Sequence, residues 1–273
     1  MPGRLYLCAT PIGNLGDASP RLAETLASVD AVFAEDTRRS AKLLTALGVS
    51  APLRSFFAGN EKQRSDELAT ELAADKAVAL LTDAGTPAVS DPGVRAVGAA
   101  RLVGAEVIVI PGPSAVTAAV AGSGMVEGPF VFHGFLERRG SSRALQLAAV
   151  AAEARPGVLF LSPHRVAVDL ADLAEACGPE RQVCVARELT KVHEEFWWAS
   201  LHEAVERWRR EAPRGEFTIV IGGAPPPPID MEEAVEIARR LVADGVSASQ
   251  AAREAAAATG AGRRAIYEAL VSS

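Results

Sequence analysis

The stretch TDAGTPAVSDPG at residues 82–93 follows a short apolar run and precedes a helical segment at 94–102. Its small residues let a backbone approach a ligand closely, Asp83 and Asp91 can accept hydrogen bonds from amines or hydroxyls, and its prolines hold the loop's shape. An ordinary strand-to-helix connection has about two to six residues. The greater length here favours a ligand loop over two aspartates that merely cap turns. Two more Gly/Pro loops, TPIGNLGD at 10–17 and PGPSA at 111–115, end apolar runs in the same half. The chain has neither a P-loop nor a GxGxxG pattern, so such a rim suits a cofactor recognised through an adenine and an amino-acid tail rather than through pyrophosphate.

Charged residues sit at comparable places. AEDTR at 34–38 sets Glu35, Asp36 and Arg38 just past a strand, and ARELTK at 186–191 does the same for Glu188 and Lys191. Either group alone reads equally well as structural ion pairing. Together with His164 and Arg165 they can line one cleft with acids, bases and anion-binding arginines; His164 alone reads as a helix-start residue. Trp197, Trp198, Phe56 and Phe57 can stack bases, although core packing accounts for most of them.

These loops need strands and helices to hold them. Short β-branched runs predict strands over 5–9, 31–34, 53–57, 78–81 and 107–110, alternating with helices that start near Ser19–Pro20, Thr37 and Asn60. That alternation predicts a parallel sheet. A second set of strands is predicted over 130–132, 158–161, 183–186, 196–199 and 217–221, with helices over 142–154, 164–177 and 201–210. Its hairpin-like end makes it a mixed sheet. The fold class is therefore α/β, with two α/β domains over 1–112 and 113–223 and a ligand cleft between them. Residues 224–229, with four consecutive prolines, form a semi-rigid linker. A small helical domain over 230–273 follows, with capping-box spacings at Asp230/Glu233 and Ser247/Gln250 and stops at Gly245 and Gly260. Three helices fit a helix-turn-helix reader, but seven acidic against five basic residues favour a docking or dimer-packing module.

Composition bounds the function. In 273 residues, 49% hydrophobic and 23% charged, Gly and Pro follow no period, so disorder and collagen-like repeats are excluded. Three cysteines (Cys8, Cys177 and Cys184) form no CxxC pair, which excludes a disulfide scaffold and disfavours structural zinc; no metal is expected. The opening residues lack the apolar length of a signal peptide or membrane span, so the protein is expected to be cytoplasmic. A net charge of -6 lacks the footprint of a nonspecific nucleic-acid coat. Local basic clusters at Arg38/Arg39/Lys42, Arg138/Arg139/Arg143 and Arg207/Arg209/Arg210/Arg214 can still face phosphate, the last reading better as a solvated helix face.

Eight motifs in order resemble the tetrapyrrole methylase superfamily of S-adenosylmethionine (SAM) enzymes, and within it the small-subunit ribosomal RNA 2'-O-ribose methyltransferase I family. They are the three loops and AEDTR above, GFL at 134–136, SPHR at 162–165, RELTK at 187–191 and GEFTIVIGG at 215–223. The chain departs from the family pattern at Gly59, where His is usual, at Leu161, where Glu is usual, and at Glu137, where Pro is usual.

The resemblance implies that SAM lies between the two α/β domains and that a cytidine 2'-hydroxyl in ribosomal RNA of the small subunit is methylated. It further implies a homodimer that binds neither DNA nor membrane. Carried over by position, cofactor contacts come from Pro11 and Ile12, from Asp83, Gly85, Thr86, Pro87 and Val89, from Ser114 and Ala115, and from Leu161 and Thr218. A ribose hydroxyl is a poor acid, so the reaction calls for a base and a cation: Glu188 and Asp36 as base, Lys191 and Arg38 to stabilise the developing alkoxide or hold a phosphate.

Overall fold

The computed structural model describes residues 2–225 and 231–271, in two compact units, Met1–Ala224 and Pro225–Ser273. Five strands of the first unit, β1 (Arg4–Cys8), β2 (Ala31–Ala34), β3 (Leu53–Ser55), β4 (Ala77–Leu81) and β5 (Glu106–Ile110), form an all-parallel sheet in the order β3-β2-β4-β1-β5. The central strands are buried on both faces, which is why they read as unbroken apolar runs. Helices α1 (Pro20–Ser28) and α2 (Thr37–Ala46) cover one face through Leu22, Leu26 and Leu44. Helices α3 (Glu61–Ala73) and α4 (Val94–Leu102) cover the other through Leu68, Leu72, Ala96 and Ala100.

Local chemistry sets the helix starts. Ser19 accepts a hydrogen bond from the Leu22 N–H at 3.1 Å, with Pro20 in the first turn where a missing N–H is harmless. At α2 the cap is Asp36 rather than Thr37, which is the first helical residue; Asp36 accepts from the Arg38 N–H at 2.8 Å.

Helix α5 (Ala115–Ser123) packs on a second sheet made of β6 (Val131–Phe135), β7 (Gly157–Leu161), β8 (Gln182–Arg187), β9 (Glu195–Ser200) and β10 (Phe217–Ile221). The order is β6-β7-β10-β8-β9, with β6 and β7 parallel and the other pairs antiparallel, so this sheet is mixed. The last strand lies in the middle, inserted between β7 and β8. Helices α6 (Gly140–Ala152), α7 (Val166–Cys177) and α8 (Leu201–Arg210) bury the opposite face. Helix α8 opens with a full capping box, Ser200 and Glu203 each bonding the other's backbone N–H.

The second unit contains α9 (Met231–Ala243), α10 (Ala248–Thr259) and α11 (Arg263–Val271), packed through an Ala-rich core. Ser247 caps α10, but the Gln250 side chain turns to Glu254 instead of completing the box. Gly260 is left-handed at the C-cap of α10. The Asp230 cap and residues 226–229 of the expected linker lie outside the described residues.

Several arginines of the basic clusters are tied to local partners, while Lys42, Arg138, Arg139 and Arg214 stay exposed. Arg143 is only 7% exposed; it donates to Asp169 at 2.8 Å, to Asp172 at 2.9 Å and to the Glu137 carbonyl, and Arg165 donates to the same Asp169 at 3.1 Å. Arg165 is thereby tied to the start of α7. Arg207 bonds Glu195 and lies 4.7 Å over both the Trp197 and Trp208 rings, and Arg209 and Arg210 pair with Glu206. Removing one partner of a buried pair leaves an uncompensated charge, at about 3 kcal/mol or more. Arg143→Met should therefore lower the urea-unfolding free energy by about 3 kcal/mol, and Arg143→Met with Asp169→Leu should recover part of it; a change near zero would show that Arg165 suffices for Asp169.

Candidate active site

In the first sheet the chain leaves β1 across β4 and leaves β4 across β1, so their following loops diverge and a crevice opens at their carboxyl ends. Thr10 and Gly85 bridge its base with two backbone hydrogen bonds, Thr10 N–H to Gly85 O at 2.8 Å and Gly85 N–H to Thr10 O at 3.1 Å. Gly85 sits at φ 82°, a conformation that favours glycine. Beyond it Ala88 and Ser90, at φ 68° and 60°, are left-handed without being glycine, and strain of this kind concentrates at ligand sites. Glu61 from α3 pins the far end by accepting from the Gly93 N–H at 3.0 Å.

The crevice encloses about 370 Å³, within the range of small-ligand sites. Ile12, Asp83, Gly85, Thr86 and Val89 line it from the first sheet's loops, Ser114 and Ala115 from the start of α5, and Leu161 and Thr218 from the second sheet. Pro11 and Pro87 do not line it. None of Asp36, Arg38, Glu188 and Lys191 lines it either. Asp36 and Arg38 pair with each other at 3.0 Å, and that bond holds Asp36 down to about 2. Burial works to raise Glu188, but the Lys191 ammonium at 2.7 Å and the Glu216 N–H at 2.9 Å outweigh it and hold the carboxyl below the usual range. Burial would lower Lys191, yet Glu188 and Glu216 together raise it. Glu188 and Thr190 are left-handed, at φ 51° and 65°. The loop they shape lies against Gly13, where a Cβ would meet Lys191 Cγ at 2.4 Å. This cluster braces the rim, and only its member Glu216 reaches the cavity.

The wall instead carries Glu35, Arg39 and Asp91. Asp83 accepts from the Asp36 N–H at 3.0 Å, pairs with Arg39 at 3.4 Å, and donates its own N–H to Glu35 at 3.3 Å. Burial first, then the Asp83 carboxylate, pushes Glu35 upward against the pull of the Asp83 N–H and Arg39. Burial, reinforced by the charges of Glu35 and Asp83 and opposed by a hydrogen bond from Thr82, pushes Asp91 up to about 7. Glu35, one of the acids the sequence set just past a strand, directly follows β2, and Arg39, read there only as a member of a basic cluster, falls on the first turn of α2. Phe135, Phe160, Ser90, Glu216 and Phe217 also line the wall; all but Phe160 lie inside motifs quoted from the sequence, where none was singled out.

The donor set fits a cationic cofactor. Four carboxylates (Glu35, Asp83, Asp91 and Glu216) face one guanidinium, Arg39, in a cavity whose apolar wall includes Ile12, Val89, Leu161 and three phenylalanines. That balance attracts a sulfonium and an ammonium and repels a polyphosphate. Ser114 at the start of α5 makes no side-chain cap, leaving first-turn N–H groups for a carboxylate.

Because Asp91 is raised in the folded chain above its unfolded value, its contribution to stability is present below pH 4 and is lost as pH rises through about 7. Asp91→Asn should therefore raise the melting temperature at pH 8 and leave it nearly unchanged at pH 4, by calorimetry at both values. Equal shifts at both would show that Asp91 ionises freely.

The tetrapyrrole (corrin/porphyrin) methylase family profile matches residues 4–205, and the profile of the RsmI C-terminal HTH domain matches residues 229–272. Ribosomal RNA small subunit methyltransferase I of Synechocystis sp. is 44% identical, over 97% of this chain and 96% of that protein. The protein of the same name from Mycobacterium tuberculosis is 42% identical, over 99% and 95%. Uroporphyrin-III C-methyl transferase from Thermus thermophilus, solved in complex with S-adenyl homocysteine, superposes with a TM-score of 0.58 at 19% identity, over 80% of this chain and 97% of that one, a likeness of fold. With one profile over most of the α/β chain and the other over the C-terminal helices, the chain belongs to the tetrapyrrole methylase family, within it to the ribosomal RNA small subunit methyltransferase I group.

Proposed function

We propose that this protein transfers a methyl group from SAM to the 2'-hydroxyl of a cytidine ribose in RNA of the small ribosomal subunit. The observation that carries the reading is the acid-rich crevice at the switch point of the parallel sheet, in which one carboxyl, Asp91, is poised near neutrality. The name shared by relatives at 42–44% identity supports ribosomal RNA as the acceptor. Membership of the group also supports a cytoplasmic homodimer; among the described residues no helix is long and apolar enough to cross a membrane.

When bound, SAM supplies a methyl group already activated on a sulfonium sulfur, which leaves with the C–S electron pair. The residues that would hold it are Ile12, Asp83, Gly85, Thr86, Val89, Ser114, Ala115, Leu161 and Thr218, with Pro11 and Pro87 stiffening the loops that carry them. The chain must then hold the ribose oxygen in line and take its proton. Asp91 is the acceptor in this reading: it lines the cavity, and its carboxyl has the near-neutral affinity that proton transfer favours. Glu188 and Asp36 are the alternative bases, with Lys191 and Arg38 as their cations; each is already neutralised by its own partner.

Labelled methyl from SAM should pass to small subunits lacking native modifications and make one ribose linkage alkali-resistant. Label in a porphyrin precursor instead, or SAM binding with no transfer to any acceptor, would overturn the reading. Asp91→Asn should cut turnover about 100-fold or more, a far larger loss than any it causes in SAM affinity. Turnover of the unaltered protein should rise with pH and level off above about 7. That limb should vanish in the variant. If Glu188→Gln or Asp36→Asn shows the loss instead, the base is that residue.

A further inference from the structure

We propose that Phe135 is the platform on which the nucleobase of the methylated nucleotide stacks, an inference that rests on the RNA-methylating reading above. Side chains alternate along a strand, so Phe132 and Phe135, three residues apart, belong on opposite faces of β6. The structure places them on the same face. The register of β6 against β7 shifts between Phe132 and Gly134, which sits at φ 68°, and the extra residue is absorbed as a bulge. Both rings then meet Phe160, Phe132 at 5.0 Å between centroids and Phe135 at 5.3 Å.

The two rings have different fates. Phe132 packs against the core beneath the second sheet, whereas Phe135 is 52% exposed and lines the cavity. A phenylalanine braced by a second ring yet half open to solvent forgoes burial that the next residue achieves, since Leu136 is buried in the core of the opposite face. The bulge also sets the distance to the catalytic wall. A Cβ on Gly134 would lie 3.1 Å from the Ser90 hydroxyl, so β6 and the loop at 82–93 touch there. One residue beyond each side of that contact stand Phe135 and Asp91, both on the cavity wall. An aromatic face and a proton acceptor thus share one mouth. Single-stranded RNA is recognised by splaying bases onto aromatic rings, and a base held on Phe135 would bring its ribose toward Asp91.

The test compares Phe135→Leu and Phe135→Tyr with the unaltered protein, measuring SAM affinity by calorimetry, affinity for unmodified small-subunit RNA by filter binding, and the methyl-transfer KM and kcat. Leu should weaken RNA binding and raise KM about tenfold, with SAM affinity within about twofold. Tyr, which keeps the ring, should restore both. A parallel loss of SAM affinity in the Leu variant would assign the ring to the cofactor and overturn the proposal, as would unchanged RNA affinity and KM. Should Leu fail to fold, Phe135→Trp decides, since a larger stacking face must hold or lower KM. Absence of transfer by the unaltered protein overturns the methylation reading and this inference together; transfer by the unaltered protein with variants that depart from the predicted pattern overturns the inference alone.

Discussion

Two backbone hydrogen bonds between Thr10 and Gly85 hold the rest of the site in place. A crevice at a switch point opens because two neighbouring strands send their chains in opposite directions, and nothing in the sheet itself keeps the diverging loops together. The reciprocal bridge does so, and satisfies buried polar groups that would otherwise go unpaired. The Thr10 hydroxyl, on a residue 2% exposed, adds a third tie to the Thr82 carbonyl at 3.3 Å. With the base of the loop fixed there and its end fixed by Glu61, residues 86–92 have little choice of path. The left-handed Ala88 and Ser90, at about 1–3 kcal/mol each, are the residue of that double constraint.

The same geometry crowds negative charge. Glu35 and Asp83 follow adjacent strands, β2 and β4, and the loop brings Asp91 back toward them. Asp83 is relieved by Arg39 and by the Asp36 N–H. Glu35 is relieved by the Asp83 N–H. Among the described residues no cation forms an ion pair with Asp91, so burial and its neighbours' charges act on it with only Thr82 in opposition. Its raised proton affinity follows from where the loop is pinned, and not from any special partner.

The strands of the parallel sheet were legible because burial on both faces leaves a run such as AVALL with no polar break. The boundaries of α4 and α8, and the mixed character of the second sheet, were legible from period and turn residues. The place of β10 was not. Its sequence position says that it comes last, whereas the gap between β7 and β8 that it fills is a property of the assembled sheet. The bulge in β6 was hidden for a related reason: Gly134 marks a weak point in the strand, but only pairing with β7 shows that a residue is skipped and Phe135 turned. Arg143 read as one of three surface arginines because its partners, Asp169 and Asp172, lie a helix away.

The two charged pairs that the sequence offered as base and cation differ in one respect from the carboxylates that line the cavity. Asp36 and Arg38 are two positions apart, and Glu188 and Lys191 are three apart, so each pair can meet without help from the fold. Proximity in sequence is what made them conspicuous, and it is also what neutralises them: a carboxylate already bonded to a guanidinium or ammonium is held low and has little appetite for a proton. Asp91 lies more than fifty positions from Glu35 and meets it only through the sheet. A carboxyl kept away from local cations until folding sets it beside like charges is raised instead. Reactive acids in this fold are therefore better sought among residues whose sequence neighbours offer no counter-charge, at the carboxyl ends of strands that the topology makes adjacent.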